Sequence, residues 1–306
     1  MQALGSDGEQ LWQAAVPPIS NNSVPDGFGG LIVEEYDTCT PGQTNPLTVV
    51  DLDPVYGQPM FAVSAVGVQV GNTIEYCYTP GPTSPQIAVR GDGAVIISEP
   101  SNNGFPPLTL VSTGGANIVS YSIPPTILTN ADGSQIPLQC CMGPPMVNID
   151  GNTYVEYEQG NINANNVITA DYLYLLEINP ENESSTTLLS STTQNEAQFP
   201  GNIISDGNGG ILATWTISPS SPALPQYPFQ VADVSGGGVG TPYNLPFSPT
   251  TVTFGQSPTL VLGENGIAFA TDAVDTVNGP VVASFNIGSG STNWTYQADL
   301  RAHCRF

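Results

Sequence analysis

The chain has 306 residues, 40% of them hydrophobic, so it is long enough to bury a substantial core. It carries 26 Asp plus Glu against three Lys plus Arg, all of them arginines (Arg90, Arg301 and Arg305), for a formal net charge of −23. A surface this anionic repels phosphate backbones and anionic lipid, which disfavours nucleic-acid and membrane partners and leaves divalent cations and cationic groups as the natural company.

No apolar run reaches the length of a membrane-spanning helix. Residues 1–13 lack the basic start and apolar core of a signal peptide, so an exported chain would carry its signal elsewhere. Helical periodicity is nearly absent. Apolar residues alternate, or run for a few positions between Gly- and Pro-rich turn clusters, which is the pattern of strands.

In chain order, Gly8 and Trp12 lie in what reads as the outer strands of a first unit. Asp26-Gly27 then forms a tight turn ahead of a strand from Leu31 to Tyr36. Adjacent Glu34 and Glu35 point to opposite faces of that strand and cannot serve one site. Asp51 and Asp53, two apart, share a face and are candidates for a metal or an acid/base pair. Asp92-Gly93 leads into a strand from Val95 to Ser98, and Asp150-Gly151 into one from Tyr154 to Tyr157. Tyr172 to Ile178, the turn at 179–183 and Thr186 to Ser190 read as an outer hairpin. Asp206-Gly207 precedes Ile211 to Ile217, and Phe229 to Val234 turns into Thr241 to Leu245. Glu264-Asn265-Gly266 precedes Ile267 to Ala270, and Pro280 to Ile287 turns into Asn293 to Gln297. The tail, 299–306, holds two of the three Arg and the only His, and is unlike the rest.

The acidic turn residues at 26, 92, 150, 206 and 264 are spaced by 66, 58, 56 and 58 residues. A repeat of this length with four antiparallel strands per unit is the signature of a propeller blade. A pair of sandwiches predicts no such repeat, and a solenoid predicts a shorter one. The expected fold is all-β: one propeller domain over 1–306, with about five to six visible four-stranded blades and a ring that is either incomplete or closed by the N-terminal strands.

Gly8-Glu9-Gln10-Leu11-Trp12 and Gly290-Ser291-Thr292-Asn293-Trp294 share a Gly-x-x-x-Trp hairpin that resembles the repeat of quinoprotein-like propellers. In that repeat Gly takes a positive φ and the Trp lies flat between neighbouring blades. The resemblance implies a family of alcohol dehydrogenases that use pyrroloquinoline quinone (PQQ) with calcium, of assembly scaffolds, and of proteins without known activity. In those dehydrogenases adjacent cysteines form a disulfide ring that stacks on the quinone, a role that would fall to Cys140 and Cys141. The calcium ligands and Asp base of those enzymes have no assignable counterparts here.

Other chemistry is sparse. His303 is the only His and no Gly-x-Ser-x-Gly occurs, so nucleophilic catalysis and zinc binding lack their residues. The five cysteines, Cys39, Cys77, Cys140, Cys141 and Cys304, leave one unpaired; Cys39 can bridge to Cys77, and Cys140 or Cys141 can pair with either. Such bridges presume an oxidising compartment. The Asp206 loop has some calcium-ligand character but too few carboxylates, so Asp26, Asp92, Asp150 and Asp206 read first as turn formers. Tyr76, Tyr78, Tyr154, Tyr157, Tyr172 and Tyr174 can stack sugars or pack between blades. Glycosylation sequons start at Asn21, Asn182 and Asn293. The reading these features favour is a secreted or surface propeller that binds a protein or glycan without catalysis. The alternative is a PQQ-dependent dehydrogenase or a carbohydrate-active propeller.

Overall fold

The computed structural model describes residues 2–4, 9–13, 19–25, 28, 30–35, 48–52, 59–64, 69–70, 73–74, 86–98, 108–112, 117–121, 123, 126–138, 142–165, 168–193, 197–218, 229–235, 238–246, 258–272 and 281–297. Every regular element among them is a strand, and none is a helix able to cross a membrane. The chain divides into two compact units, Met1–Ile123 and Pro124–Phe306.

In the first unit β1 (Gln2–Leu4) and β2 (Gln10–Gln13) form the expected N-terminal hairpin. A four-stranded antiparallel meander follows, with β3 (Ile19–Pro25), β4 (Leu31–Glu35), β5 (Thr48–Leu52) and β6 (Pro59–Ser64) paired in sequence order. After a small hairpin, β7 (Gln69–Val70) and β8 (Thr73–Ile74), a second meander runs through β9 (Gln86–Val89), β10 (Val95–Ser98), β11 (Leu108–Val111) and β12 (Ile118–Tyr121). Ile32 of the first meander packs on Val95, Ile97 and Val111 of the second. Strands β10 and β11 are buried on both faces, and β10 carries the apolar run Val95-Ile96-Ile97 in place of alternation.

The second unit opens with the hairpin β13 (Thr126–Thr129) and β14 (Gln135–Leu138). The next four strands, β15 (Met146–Val147), β16 (Thr153–Ile162), β17 (Ile168–Ile178) and β18 (Ser185–Thr193), are antiparallel. The first hairpin joins this sheet by a short parallel pairing of Ile127 with Asn161, so the sheet has six strands where four were expected. β19 (Ala197–Ser205), β20 (Ile211–Ser218) and β21 (Phe229–Ser235) form the following sheet. Its fourth strand is split into β22 (Gly238–Val239) and β23 (Tyr243–Asn244), both on β21. The last meander is β24 (Thr259–Leu262), β25 (Ile267–Asp272), β26 (Val281–Asn286) and β27 (Thr292–Gln297). Successive antiparallel meanders of this kind, stacked through apolar faces, are the blades of a β-propeller, and five stand among the described residues.

The stacking follows from strand alternation. Ile211, Ala213 and Trp215 of β20 face the β15–β18 sheet, meeting Tyr154, Leu173 and Leu175. Leu212 faces the other way, joining Phe229 and Val231 against Leu260, Ala268, Ala270 and Phe285 of the last sheet. Truncating a ring as deeply packed as Phe285 costs about 3–5 kcal/mol in comparable cores.

The outer hairpin of the last sheet shows what its glycine does. Gly290 has φ +66°, as expected, and its N–H donates to the Asn286 carbonyl at 2.8 Å. The Tyr243 ring of the preceding sheet also lies on it: a Cβ there would come within 2.3 Å of Tyr243 Cγ. The β17–β18 hairpin closes in the same way, Glu183 N–H to the Asn179 carbonyl, with Glu183 held at φ +56° where the other hairpin has glycine. Trp294 departs from the expectation. It is 48% exposed on the outermost strand, its ring 6.0 Å from Phe269, rather than wedged between sheets. The fully buried tryptophan is Trp215. The Trp12 side chain, Gly8 and the 299–306 tail lie outside the described residues.

Two substitutions should move stability in opposite directions. Gly290→Ala adds a left-handed penalty and a ring clash, and should cost about 2 kcal/mol or more. Glu183→Gly relieves a left-handed backbone, and should gain about 0.5–1 kcal/mol. Urea unfolding of the two variants checks both signs.

Candidate functional site

The Asp-Gly turns share one chemistry. Asp92, Asp132 and Asp150 each accept, through Oδ1, the N–H of the residue two further on, at 3.1, 2.9 and 3.0 Å. The following glycine takes a positive φ and donates its N–H to the carbonyl three residues back, inside a three-residue loop closed by the N–H of Arg90, Asn130 or Asn148. Asp92 is further clamped by Arg90, Nε to Oδ1 at 2.9 Å and NH2 to Oδ2 at 2.7 Å, and this guanidinium holds its carboxyl below the usual range. Asp206 is buried and accepts two N–H groups, from Asn208 at 2.7 Å and Gly210 at 2.8 Å. At Glu264 the loop differs: Asn265 and Gly266 both have positive φ, and Ile267 N–H returns to the Glu264 carbonyl.

In the second unit three of these turns form one continuous edge. Asn148 Nδ2 donates to the Gly209 carbonyl at 2.9 Å, tying the turn at 148–152 to that at 206–210. Leu262 Cδ2 sits over Gly207, where a Cβ would come within 2.8 Å. The edge exposes Ile149, 91% exposed, and Leu262, whereas Val261, next to Leu262 in β24, points to the opposite face with Phe269. Its turns also present the exposed Asp150, Asn208, Glu264 and Asn265. Backbone hydrogen bonds close these turns.

A second cluster is sealed inside. Glu156 and Glu158 on β16 and Asp171 on β17 share the sheet face that packs on β19. Gly201 N–H donates to Glu156 Oε2 at 2.8 Å, aimed there by a register shift in β19 between Pro200 and Ile203. Only glycine fits: a Cβ at Gly201 would lie 2.1 Å from the Thr214 carbonyl oxygen. Burial pushes the Glu156 carboxyl up to about 8. Burial and the adjoining Asp171 carboxyl push Glu158 up as well. Burial also raises Asp171, which is held down by N–H bonds, chiefly from Gln198.

The sequence-based candidates separate on this structure. Asp206, a candidate for a metal that reads first as a turn former, accepts two N–H groups of its own turn through Oδ1. Among the described residues no three His, Cys, Asp or Glu side chains are placed to share a metal ion. Asp51 pairs with Ile32 and Phe61 in the sheet. Its side chain lies outside the described residues, as do Asp26, Asp53, Tyr76, Tyr78 and all five cysteines, Cys140 and Cys141 included. The tyrosines divide: Tyr154 donates to Glu177 Oε1 at 2.9 Å on one face, while Tyr157, Tyr174 and Tyr172 stack on the other, at 4.9 and 6.3 Å between centroids. Stacking ring on ring uses faces that a sugar would need. Sequence reasoning missed the Asp132 turn, although Asn130-Ala131-Asp132-Gly133 carries the same signal as its neighbours. It also missed the buried carboxyls, because alternate Glu residues in a strand ordinarily mark a solvent face.

No protein-family model and no curated protein matches this chain. Among solved structures it resembles a polysaccharide lyase, an ulvan lyase, with a TM-score of 0.53 at 10% identity over 90% of this chain and 70% of the other. BamB from Moraxella catarrhalis follows at a TM-score of 0.45 and 14% identity, over 97% and 70% of the two chains. An α-L-arabinanase from Penicillium chrysogenum aligns at 0.40 and 10%, over 69% and 65%. The first of these likenesses is one of fold.

Asn148→Ala should cost about 1 kcal/mol and speed amide exchange at 207–210, because it removes the donor that ties the two turns. Asn148→Asp, which keeps an acceptor but no donor, should do the same. Hydrogen exchange with mass spectrometry on both variants checks this.

Proposed function

We propose that the chain is a non-catalytic binding module, working outside the cytoplasm, that docks a protein segment on the turn edge of its second unit. The observation that carries this reading is the pair of exposed apolar side chains Ile149 and Leu262 on a turn edge that also presents the exposed Asp150 and Glu264. An edge with apolar and acidic side chains suits a partner that brings apolar anchors and Lys or Arg. The −23 charge of the chain would steer the same kind of partner. The carboxyls that burial raises, Glu156 and Glu158, are sealed between sheets rather than presented at the edge.

Peptides selected from a random displayed library on the full chain test this. Selected sequences should combine apolar and basic residues, and the double variant Ile149→Asp, Leu262→Asp should bind them at least about tenfold more weakly. Ligands that bind the double variant equally well would overturn the docking edge. Release of new chain ends from neutral or anionic polysaccharides would replace the reading with a carbohydrate-active enzyme. A rise in melting temperature with PQQ plus calcium would favour the dehydrogenase reading that rests on Cys140 and Cys141.

A further inference from the structure

Three carboxyls, Glu156, Glu158 and Asp171, lie in the seam between the β15–β18 sheet and β19. Among the described residues nothing cationic meets them. β18, β19, β20 and β22 contain no ionisable side chain. The ionisable groups further along the same face, Tyr154 and Glu177, are bonded to each other. Among the described residues the only cationic side chain is Arg90, which pairs with Asp92 in the first unit.

The carboxyls are nevertheless incompletely bonded. Gly201 N–H serves Glu156 Oε2, and Gln198 N–H serves Asp171 Oδ2. Glu156 Oε1, Glu158 Oε2 and Asp171 Oδ1 receive no N–H or O–H donor. An ionised carboxylate buried without a counter-ion is far more costly than a neutral acid, so such groups keep their protons. Two carboxyls in contact cannot both ionise. The Gln198 N–H favours the anion on Asp171, which leaves the proton on Glu158.

We propose that protons hold this seam: Glu156 and Glu158 are resident carboxylic acids, Glu158 donating to Asp171, and their ionisation as pH rises loosens the two sheets. Protons here do what Lys and Arg do in other proteins, in a chain that has almost none. The direction follows from linkage. Glu156 binds its proton more tightly folded than unfolded, so its stabilising contribution is complete below its ordinary value of 4.5 and lost as pH rises through about 8.

The test is the melting temperature of the full chain from pH 5 to pH 9 in high salt, which screens the surface charge but not a dry seam. The wild type should lose about 5 °C or more over this range. Glu156→Gln keeps the acceptor for Gly201, and Glu158→Gln supplies an N–H to Asp171. The double variant should lose less than half as much, and at pH 8 should melt no lower than the wild type. An unchanged pH slope in the double variant would overturn the proposal. Should that variant fail to fold, the infrared carbonyl band of the wild type at pH 7 decides. A buried protonated-carboxyl signal that vanishes by pH 9 supports the seam, and its absence at pH 7 overturns it.

Discussion

Burial of the central strands on both faces is the constraint on which the rest depends. Ile211 to Thr216 of β20 are all sealed, the odd residues against one neighbouring sheet and the even residues against the other. A strand in that position needs a sheet on either side, and repeating the requirement stacks one meander on the next. It also explains why the strands read as apolar runs and why alternation is weak. Every polar group in such a strand must find its partner inside. Thr214 does so by bonding the Asn202 backbone in both directions across the β19 bulge.

The same constraint turns charge into a structural problem. A chain with 26 carboxylates and three cations has few counter-ions for a buried acid. Among the described residues the one ion pair is Arg90 with Asp92, and its carboxyl is exposed. Elsewhere the acids are dealt with locally: turn aspartates accept backbone N–H groups at the sheet ends, and Glu156 and Glu158, in the seam against β19, keep their protons. The turn edge that exposes Ile149 and Leu262 also presents the exposed Asp150 and Glu264. The proton-held seam and the proposed docking edge both trace to one compositional fact, the near-absence of cations.

Much of the fold was legible in the sequence because turn chemistry is local. Asp or Asn before Gly fixes a hairpin whatever surrounds it, and the strand expected at Val95–Ser98 agrees with β10 residue for residue. Gly290 was also legible, since its positive φ is a local demand, although the Tyr243 ring on it was not. What escaped was tertiary. Tyr154, Glu156 and Glu158 alternate like a half-exposed strand, and only the arrival of β19 makes their face an interior. The parallel docking of β13 on β16 joins segments more than thirty positions apart and leaves no periodic trace. Trp294 suits a wedge between sheets by size, but its strand is outermost, where the described neighbours cover little of the ring. Of the candidate binding edge, the turns were readable and the exposed Ile149 was not, because a lone isoleucine beside Asp-Gly normally enters the core.

Native-state hydrogen exchange resolved to single amides tests the stacking most directly. Amides of β20, from Leu212 to Trp215, should exchange only through global unfolding, while those at Trp294 and Tyr296 on β27 should open locally and far sooner. If β20 exchanges on the timescale of β27, its two faces are not sealed by neighbouring sheets and the account fails.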